Sequence, residues 1–395
     1  MIVTFDGASG AILPSIQRDL AIDTTLMANQ QYPLLGALMS GLGRDAVSTK
    51  IEWQDYGLQA RFVTTGAGQL DTAADTTITL TTGSVEGLIS ARTVLGVDGT
   101  QELIRVTGVS SNVLTVTRGF GGTTAAVIPS GTKLFVINEG WLEGEDFSER
   151  NKHIPVQRFN YTEIFRSDFK ISGTLLATPL ATSYNGANRQ VSIELGLHQR
   201  EIVDKMAQAI LYGAAPATNT QGTATTERRM DGIITMIREG AAAAQGAVYT
   251  NIASADFNQS TNAYKNFVNH METLWEKGST ARTVVVNSRI KKQLSTNMEN
   301  GRQNFDVRTV ARNVQEIETD FGKFTLMLDN SMRKDGLLTL DMDKVELRAY
   351  NERSLFILPM GIGGDSQRYS LLGEYTLEAR DAATGGHGYF YGAAA

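Results

Sequence analysis

Residues 62–137 limit what this chain folds into more than any other stretch. Sixteen of these 76 residues are Thr, and short β-type runs (TTITLT, LISARTVL, ELIRVTGV, NVLTVTR and TKLFVI) recur between glycine turns. Branched side chains at that density favour pleated strands, because a branched Cβ packs well on a sheet and crowds the preceding turn of a helix. In ELIRVT, Ile104 and Val106 share one face, with Leu103 and Arg105 on the other; in VLTVTR, Leu114 and Val116 oppose Val113 and Thr115. The intervening GVSSN closes the two runs into a hairpin, with Gly108 and Asn112 as the positions tolerant of positive φ. About five strands in this space predict a small barrel or sandwich.

The flanks are patterned differently. Residues 1–49 read as an arm: Leu20, Ile22, Leu26, Tyr32, Leu34, Leu35, Leu38 and Leu42 are scattered among Pro33, Gly36 and Gly41, enough for a short helix and too little for a core. Residues 138–160, with the acidic EGEDFSE, read as a linker returning from the β module. NYTEIFRSDFKISGT alternates as a strand. From Asn188 to Tyr212, Val191, Leu195, Ile202, Met206 and Ile210 fall on one stripe of a long helix, widened by Val203 and Ala209, with His198 and Gln199 on a polar stripe and Gly213 as its stop. A second helix is predicted over 262–277, with Tyr264, Phe267, Val268, Met271, Leu274 and Trp275 inward and Gly278 ending it. RTVVVNSRIKKQLS reads as a buried strand, an Asn or Ser cap and a third helix. KFTLMLD, LLTLD, KVELRAY, SLFIL and YSLLGEYTLEAR read as further strands, making an α+β chain.

The chemical inventory is thin. With no Cys there is no disulfide, thiolate nucleophile or Cys-based metal site. The four His, at 153, 198, 270 and 387, have no metal-ligand spacing. Asp341 and Asp343 read as alternating residues of a solvated strand. Asp320-Phe321-Gly322 lacks the companions of a kinase and reads as a strand-entry turn; RGFGGTT and GIGGD lack phosphate-loop spacing and read as turns. The expected cofactor and catalytic lists are therefore empty. Net charge is −6; residues 1–150 hold 9 basic and 16 acidic side chains, and the remainder 27 and 26. No stretch has the basic density that a row of phosphates demands. No secretory signal pattern and no run of 18 apolar residues is present. A structural or binding role is the expectation.

Three stretches carry a resemblance. KIEWQDYGL (50–58), FNYTEIFRSDFKISGTLLA (159–177) running into the helix that ends IVDKMAQAILYG, and LLGEYTLEARDAATGGHG (371–388) stand in an order and spacing similar to the major capsid proteins of tailed bacteriophages, in the group with E-W-Q-D and N-Y-T-x-I-F-R-x-D motifs. TVVVNSRIKKQLS and DFGKFTLMLDNSMR fit the same group. The resemblance implies the tailed-phage capsid shell fold, shared with encapsulins: an N-terminal arm (1–49), an extended loop (50–160) carrying the β module (62–137), a peripheral domain (161–228 and 337–380) with a long spine helix, and an axial domain (229–336 and 381–395).

By the same resemblance the chain is a structural protein of the virion, self-assembling in the host cytoplasm into hexamers and pentamers of an icosahedral head around double-stranded DNA. Its implied partners are further copies of itself, a portal, a scaffolding protein and a decoration protein, with no membrane. The candidate interface residues so implied are Glu52, Trp53, Asp55, Arg61, Tyr161, Phe165, Arg166, His198, Gln199, Glu378 and Arg380. Because Met1 opens directly on the arm, a scaffold is expected as a separate protein, and Lys133, alone among Lys between 62 and 150, is not expected to cross-link. An encapsulin-like compartment and a tail or baseplate component are the alternatives; a hydrolase with an unrecognised site is a third.

Overall fold

The computed structural model describes residues 32–56, 62–66, 74–81, 89–146, 155–177, 190–215, 222–223, 225–243, 246–252, 263–301 and 316–392. Along the chain run α1 (Pro33–Ser40), β1 (Lys50–Asp55), β2 (Phe62–Thr64), β3 (Thr77–Thr79), β4 (Thr93–Val97), β5 (Leu103–Ser110), β6 (Val113–Thr117), β7 (Lys133–Glu139), β8 (Val156–Tyr161) and β9 (Glu163–Ser172). There follow α2 (Gly173–Ala177), α3 (Gln190–Tyr212), α4 (Ile233–Ala242), β10 (Val248–Ile252), α5 (Ala263–Glu276), β11 (Thr283–Val286) and α6 (Ser288–Gly301). The chain closes with β12 (Glu316–Thr319), β13 (Gly322–Leu328), β14 (Gly336–Leu340), β15 (Val345–Ala349), β16 (Phe356–Ile362), β17 (Ser366–Ala379) and β18 (Gly388–Gly392).

The Thr-rich segment is a six-stranded sheet in the order β2-β7-β4-β5-β6-β3. An antiparallel bridge between Thr65 and Leu80, with Gly66 N–H donating to Thr79 O and Thr81 N–H to Thr64 O, joins its two edges and closes it into a barrel. Closure removes the exposed edges of a small sheet. The alternation read from the sequence decides what lies inside: Ile104, Val106, Leu114 and Val116 are buried with Leu95, Ile78 and Leu134. The hairpin turn differs from expectation. Ser111 takes the positive φ of 54°, while Gly108 sits at a register shift between β5 and β6.

A second, mixed sheet runs β10-β18-β14-β11-β13-β12. It lies between two hydrophobic cores, so neighbouring residues of one strand point into different ones: Val285, Leu338 and Tyr389 into the first, Val284, Val286, Leu337 and Phe390 into the second. Burial on both faces is why TVVV and LLTL show no alternation of apolar and polar residues. The second core is completed by α5 and α6, with Phe267, Met271, Leu274, Ile290 and Leu294. Within α5 the inward stripe differs from the expected one: His270 is buried, and Trp275 is 61% exposed with its ring against Phe321.

In the first core, α3 packs on the long strand β9, which pairs with β17 from Glu163↔Tyr375 to Ser172↔Ser366. The other edge of β17 takes β15 and then β16. Ile202, Met206 and Ile210 of α3 are buried, as the stripe predicts. The helix stops where its end meets the start of α4: Gly232 N–H donates to Gly213 O, and a Cβ on Gly213 would lie 2.7 Å from Met230 O. Only glycine fits that approach. Helix α4 is absent from the sequence reading, as are β12 and β18. Asp341 and Asp343 correct another expectation. Asp341 caps a 3₁₀ turn, accepting from Asp343 N–H, and neither residue lies in a strand. Residues 138–160 are not linker throughout, since β8 occupies their end and pairs antiparallel with β1.

Candidate assembly surface

In chain order the β1–β8 ribbon stands between the barrel and the rest of the chain. Along β1, Ile51, Trp53 and Asp55 face inward, while Glu52 and Gln54 face solvent. Lys50 pairs with Glu52 and sits 4.4 Å over the Phe159 ring. Tyr161, at the foot of β8, is buried edge-on to Phe159.

The residues flanking Tyr161 anchor the ribbon. Asn160, 1% exposed, donates to Asp231 O at 3.0 Å and Leu377 O at 2.8 Å, and accepts from Tyr161 N–H at 2.8 Å and Asp231 N–H at 2.9 Å. Those four bonds use an amide's two donors and both lone pairs of its oxygen. Thr162 donates to the buried Glu374 at 2.7 Å, and Arg228 reaches both Thr162 O and Glu374. Arg353 lies 3.5 Å from the same carboxylate. Sequence reasoning missed Asn160, Thr162, Arg228 and Glu374, although Asn160 and Thr162 flank Tyr161 in the N-Y-T motif.

On β9, Phe165 enters the core and Arg166 is exposed, pairing with Asp168 at 2.8 Å and donating to Met360 Sδ at 3.8 Å. Arg166, then Ser370, holds the Asp168 carboxyl below its usual range. His198 of α3 stacks on Phe169 at 4.9 Å, and Ser167 Oγ lies 2.7 Å from its Nδ1. This is the closest approach to nucleophilic chemistry among the described residues, and it lacks the required parts. Ser167 is buried and gives its proton to Glu201 at 2.8 Å, leaving no proton for His198 to abstract, while Glu194 is 3.9 Å from the other ring nitrogen, beyond hydrogen-bond reach. Lys205, then Ser167, draws the Glu201 carboxyl down to about 2. Gln199 is exposed.

At the end of β17, Glu378 is buried between Arg348 at 2.5 Å and Arg380 at 2.6 Å, and Arg348 also holds Glu346 at 3.1 Å. Of the candidate interface residues, Trp53, Asp55, Tyr161, Phe165 and Glu378 are thus buried in their own subunit and Glu52, Arg166, Gln199 and Arg380 are exposed. His198 is half-buried, and Arg61 lies outside the described residues.

Two surface features stand out beside them. A concave basin of about 650 Å³ opens between β9, α3 and residues 226–229. Its four cations each have a carboxylate: Arg166 with Asp168, Lys205 with Glu201, Arg228 with Glu374, Arg229 with Glu227. That pairing leaves little charge for an anionic ligand. Next to it, β16 exposes Ile357, Leu358, Met360 and Ile362. SLFIL reads as a strand, and Pro359 just after it is the signal that the strand is an edge. Among the described residues no group of three or more His, Asp or Glu is placed to hold a metal ion.

A sequence model of the family described as SU10 major capsid protein matches residues 5–388. A major capsid protein of Pseudomonas phage PaMx41 is 27% identical over 205 residues, 51% of this chain and 48% of that protein. The aligned part thus spans about half the length of that curated relative. Among solved structures, the cyanophage A-1(L) capsid asymmetric unit superposes with a TM-score of 0.53 at 9% identity, over 95% of this chain and 96% of that one. A chain from Mycobacterium phage Adephagia gives 0.47 at 9% identity, over 99% of both. The cyanophage superposition establishes the capsid shell fold.

Proposed function

Because the chain belongs to the SU10 major capsid protein family, we propose that it is the subunit of an icosahedral phage head, assembling with copies of itself into hexamers and pentamers around double-stranded DNA. The observation that carries this reading is the family match along nearly the whole chain. Membership of a capsid protein family supports a structural role. Portal, scaffolding and decoration proteins are the expected companions, the virion is its place, and the host cytoplasm is where it assembles.

In this reading residues 1–49 are the arm, 50–160 the extended loop with the barrel inserted, 161–228 and 337–380 the peripheral domain, and 229–336 with 381–395 the axial domain. Separate cores for the barrel and for the α5–α6 layer support the division. Helix α4, numbered within the axial span, packs with α3 in the first core and so ties the two domains together. The exposed apolar strand β16 and the exposed Trp141 and Leu142 supply surface for contacts between copies.

The test is expression of the full chain, alone and with the scaffolding protein of its phage, followed by sedimentation and negative-stain imaging. Closed shells are expected. A monodisperse monomer under every salt and scaffold condition would overturn the reading.

A further inference from the structure

Two surface patches of this chain have opposite charge and matching apolar content. The first is one face of the β9–β17–β16 sheet. Backbone register puts Arg166, Asp168 and Lys170 of β9, Leu372, Ser370 and Arg368 of β17, and Phe356 and Leu358 of β16 on one side. Helix α3 covers the other side, where His198 stacks on Phe169. Arg166 donates to Met360 Sδ and so brings Met360 to the first side. Leu358 and Met360 are 41% and 51% exposed. Arg166 and Asp168 neutralise each other. Lys170 and Arg368 stand directly opposite on neighbouring strands, both exposed, with no carboxylate partner among the described residues. Asp365, in the tip turn, lies against Gly173 instead. Like charges so placed repel, a cost that a docked anionic group removes.

The second patch is the turn at 141–146, which follows β7. Trp141 and Leu142 are 54% and 66% exposed there, beside the exposed carboxylates Glu143 and Asp146. The turn is held in one shape. Glu145 N–H donates to Leu142 O at 3.2 Å, and Leu142 N–H donates to the Glu145 carboxylate at 3.0 Å. Arg92 grips that carboxylate through both terminal nitrogens, one of them at 2.7 Å, from a backbone at φ 81°. A non-glycine residue persists in the left-handed region only where its surroundings dictate it. Arg92 neutralises Glu145, so Glu143 and Asp146 carry the acidity of the exposed turn. Large apolar side chains on a pre-organised turn lose little freedom on binding, which is the property of an interface anchor.

We propose that the 141–146 turn of one copy docks on the β9–β17–β16 face of the next, with Trp141 and Leu142 seated on Leu358, Met360 and Leu372, and Glu143 and Asp146 laid against Lys170 and Arg368. The partner is a second copy because the complement of each patch is carried on the same chain. The charges also fix the polarity of the contact. Two positive faces repel each other, as do two acidic turns, so neither patch pairs with its own kind and the contact runs head to tail. A head-to-tail contact makes a ring when its rotation closes, which is the form hexamers and pentamers require. The inference deepens the shell reading: it rests on that reading for closure, and on the two patches alone for the contact.

The chain has no Cys, so full-length Leu142→Cys and Leu358→Cys variants carry one thiol each. The two are mixed in equal amounts and oxidised, and their disulfide-linked peptides are counted by mass spectrometry. The 142–358 link is expected at least about tenfold above the mean of the 142–142 and 358–358 links, with a smaller excess in ~0.5 M salt, where the charges are screened. Lys170→Glu/Arg368→Glu in the Leu358→Cys chain should return the three links to chance proportions. Adding Glu143→Lys/Asp146→Lys to the Leu142→Cys chain should then restore the preference, a recovery that misfolding does not produce. Chance proportions in the first mixture would overturn the proposal and leave the face to some other protein. An excess of either like-with-like link would overturn it too, as would charge reversals without effect. Wild-type shells without the 142–358 preference would refute the contact and spare the shell reading; the preference in a chain that closes no shell would support the contact and refute the shell.

Discussion

Mild acid should destabilise the subunit through two buried histidines, and His270→Leu should remove about half of that effect. His270 on α5 is 2% exposed, stacks on Phe390 at 4.8 Å and has no partner at either nitrogen; burial pushes it from 6.5 down to about 3. His387 is fully buried, accepting from Asp341 N–H with Nδ1 and donating from Nε2 to Arg380 O; burial holds it at about 4 despite that carbonyl. Both values are lower in the folded chain, so the unfolded chain takes up more protons below pH 6.5. The stability these residues confer is complete above that pH and is lost as pH falls toward 4 and then 3. A pH of 5 lies 1.5 units below the unfolded value of 6.5 and above both folded values, so each histidine costs about 2 kcal/mol there and the two about 4 kcal/mol together. That is a large part of the ~5–15 kcal/mol that holds a typical domain. Urea unfolding of the unassembled chain at pH 7 and pH 5 measures it. His270→Leu should keep its pH 7 midpoint, since it deletes an orphaned polar ring, and should show about half the acid loss. Asp55, Glu163, Asp231 and Glu239, all raised by burial, respond with the opposite sign, so the comparison of variant with wild type isolates His270. An acid loss identical in the two proteins, or an imidazole resonance of His270 titrating near 6.5, would refute the reasoning.

Asn160→Ala strips four hydrogen bonds from a buried joint; at about 1–3 kcal/mol for each group left unsatisfied, a loss of at least ~3 kcal/mol is expected, read as faster hydrogen exchange in β8 and the start of α4. In the barrel, Glu102 accepts from Arg118 at 2.6 and 2.8 Å and from Ala126 N–H at 2.8 Å, with both side chains almost fully buried. Arg118→Met should cost about 3–5 kcal/mol and open the barrel to protease, while the double variant Glu102→Gln/Arg118→Met should recover part of it. Met206→Asp places an unpaired charge in the first core beneath β9 and should unfold that region, detected as loss of soluble chain; normal solubility would mean the inward face of α3 is misassigned.

The strands of the barrel, the inward stripe of α3, the cap and helix after TVVV, and the glycine ends of α3 and α5 were all legible in the sequence. Each is governed by a local rule: a period of 2 or 3.6, a capping side chain, or a glycine where a positive φ or a close approach demands one. The kinship with phage major capsid proteins was legible too. What the sequence alone left undecided depends on residues far apart in the chain. The burial of His270 and the exposure of Trp275 follow from where Phe390 lies against α5, and Asn160 finds its partners at Asp231 and Leu377. β12 and β18 are strands because β13 and β14 lie beside them, and the apolar run of β16 is exposed because nothing among the described residues packs over its faces. Periodicity tells a residue which way to point; only the packed chain determines whether that direction meets a core, a partner or water.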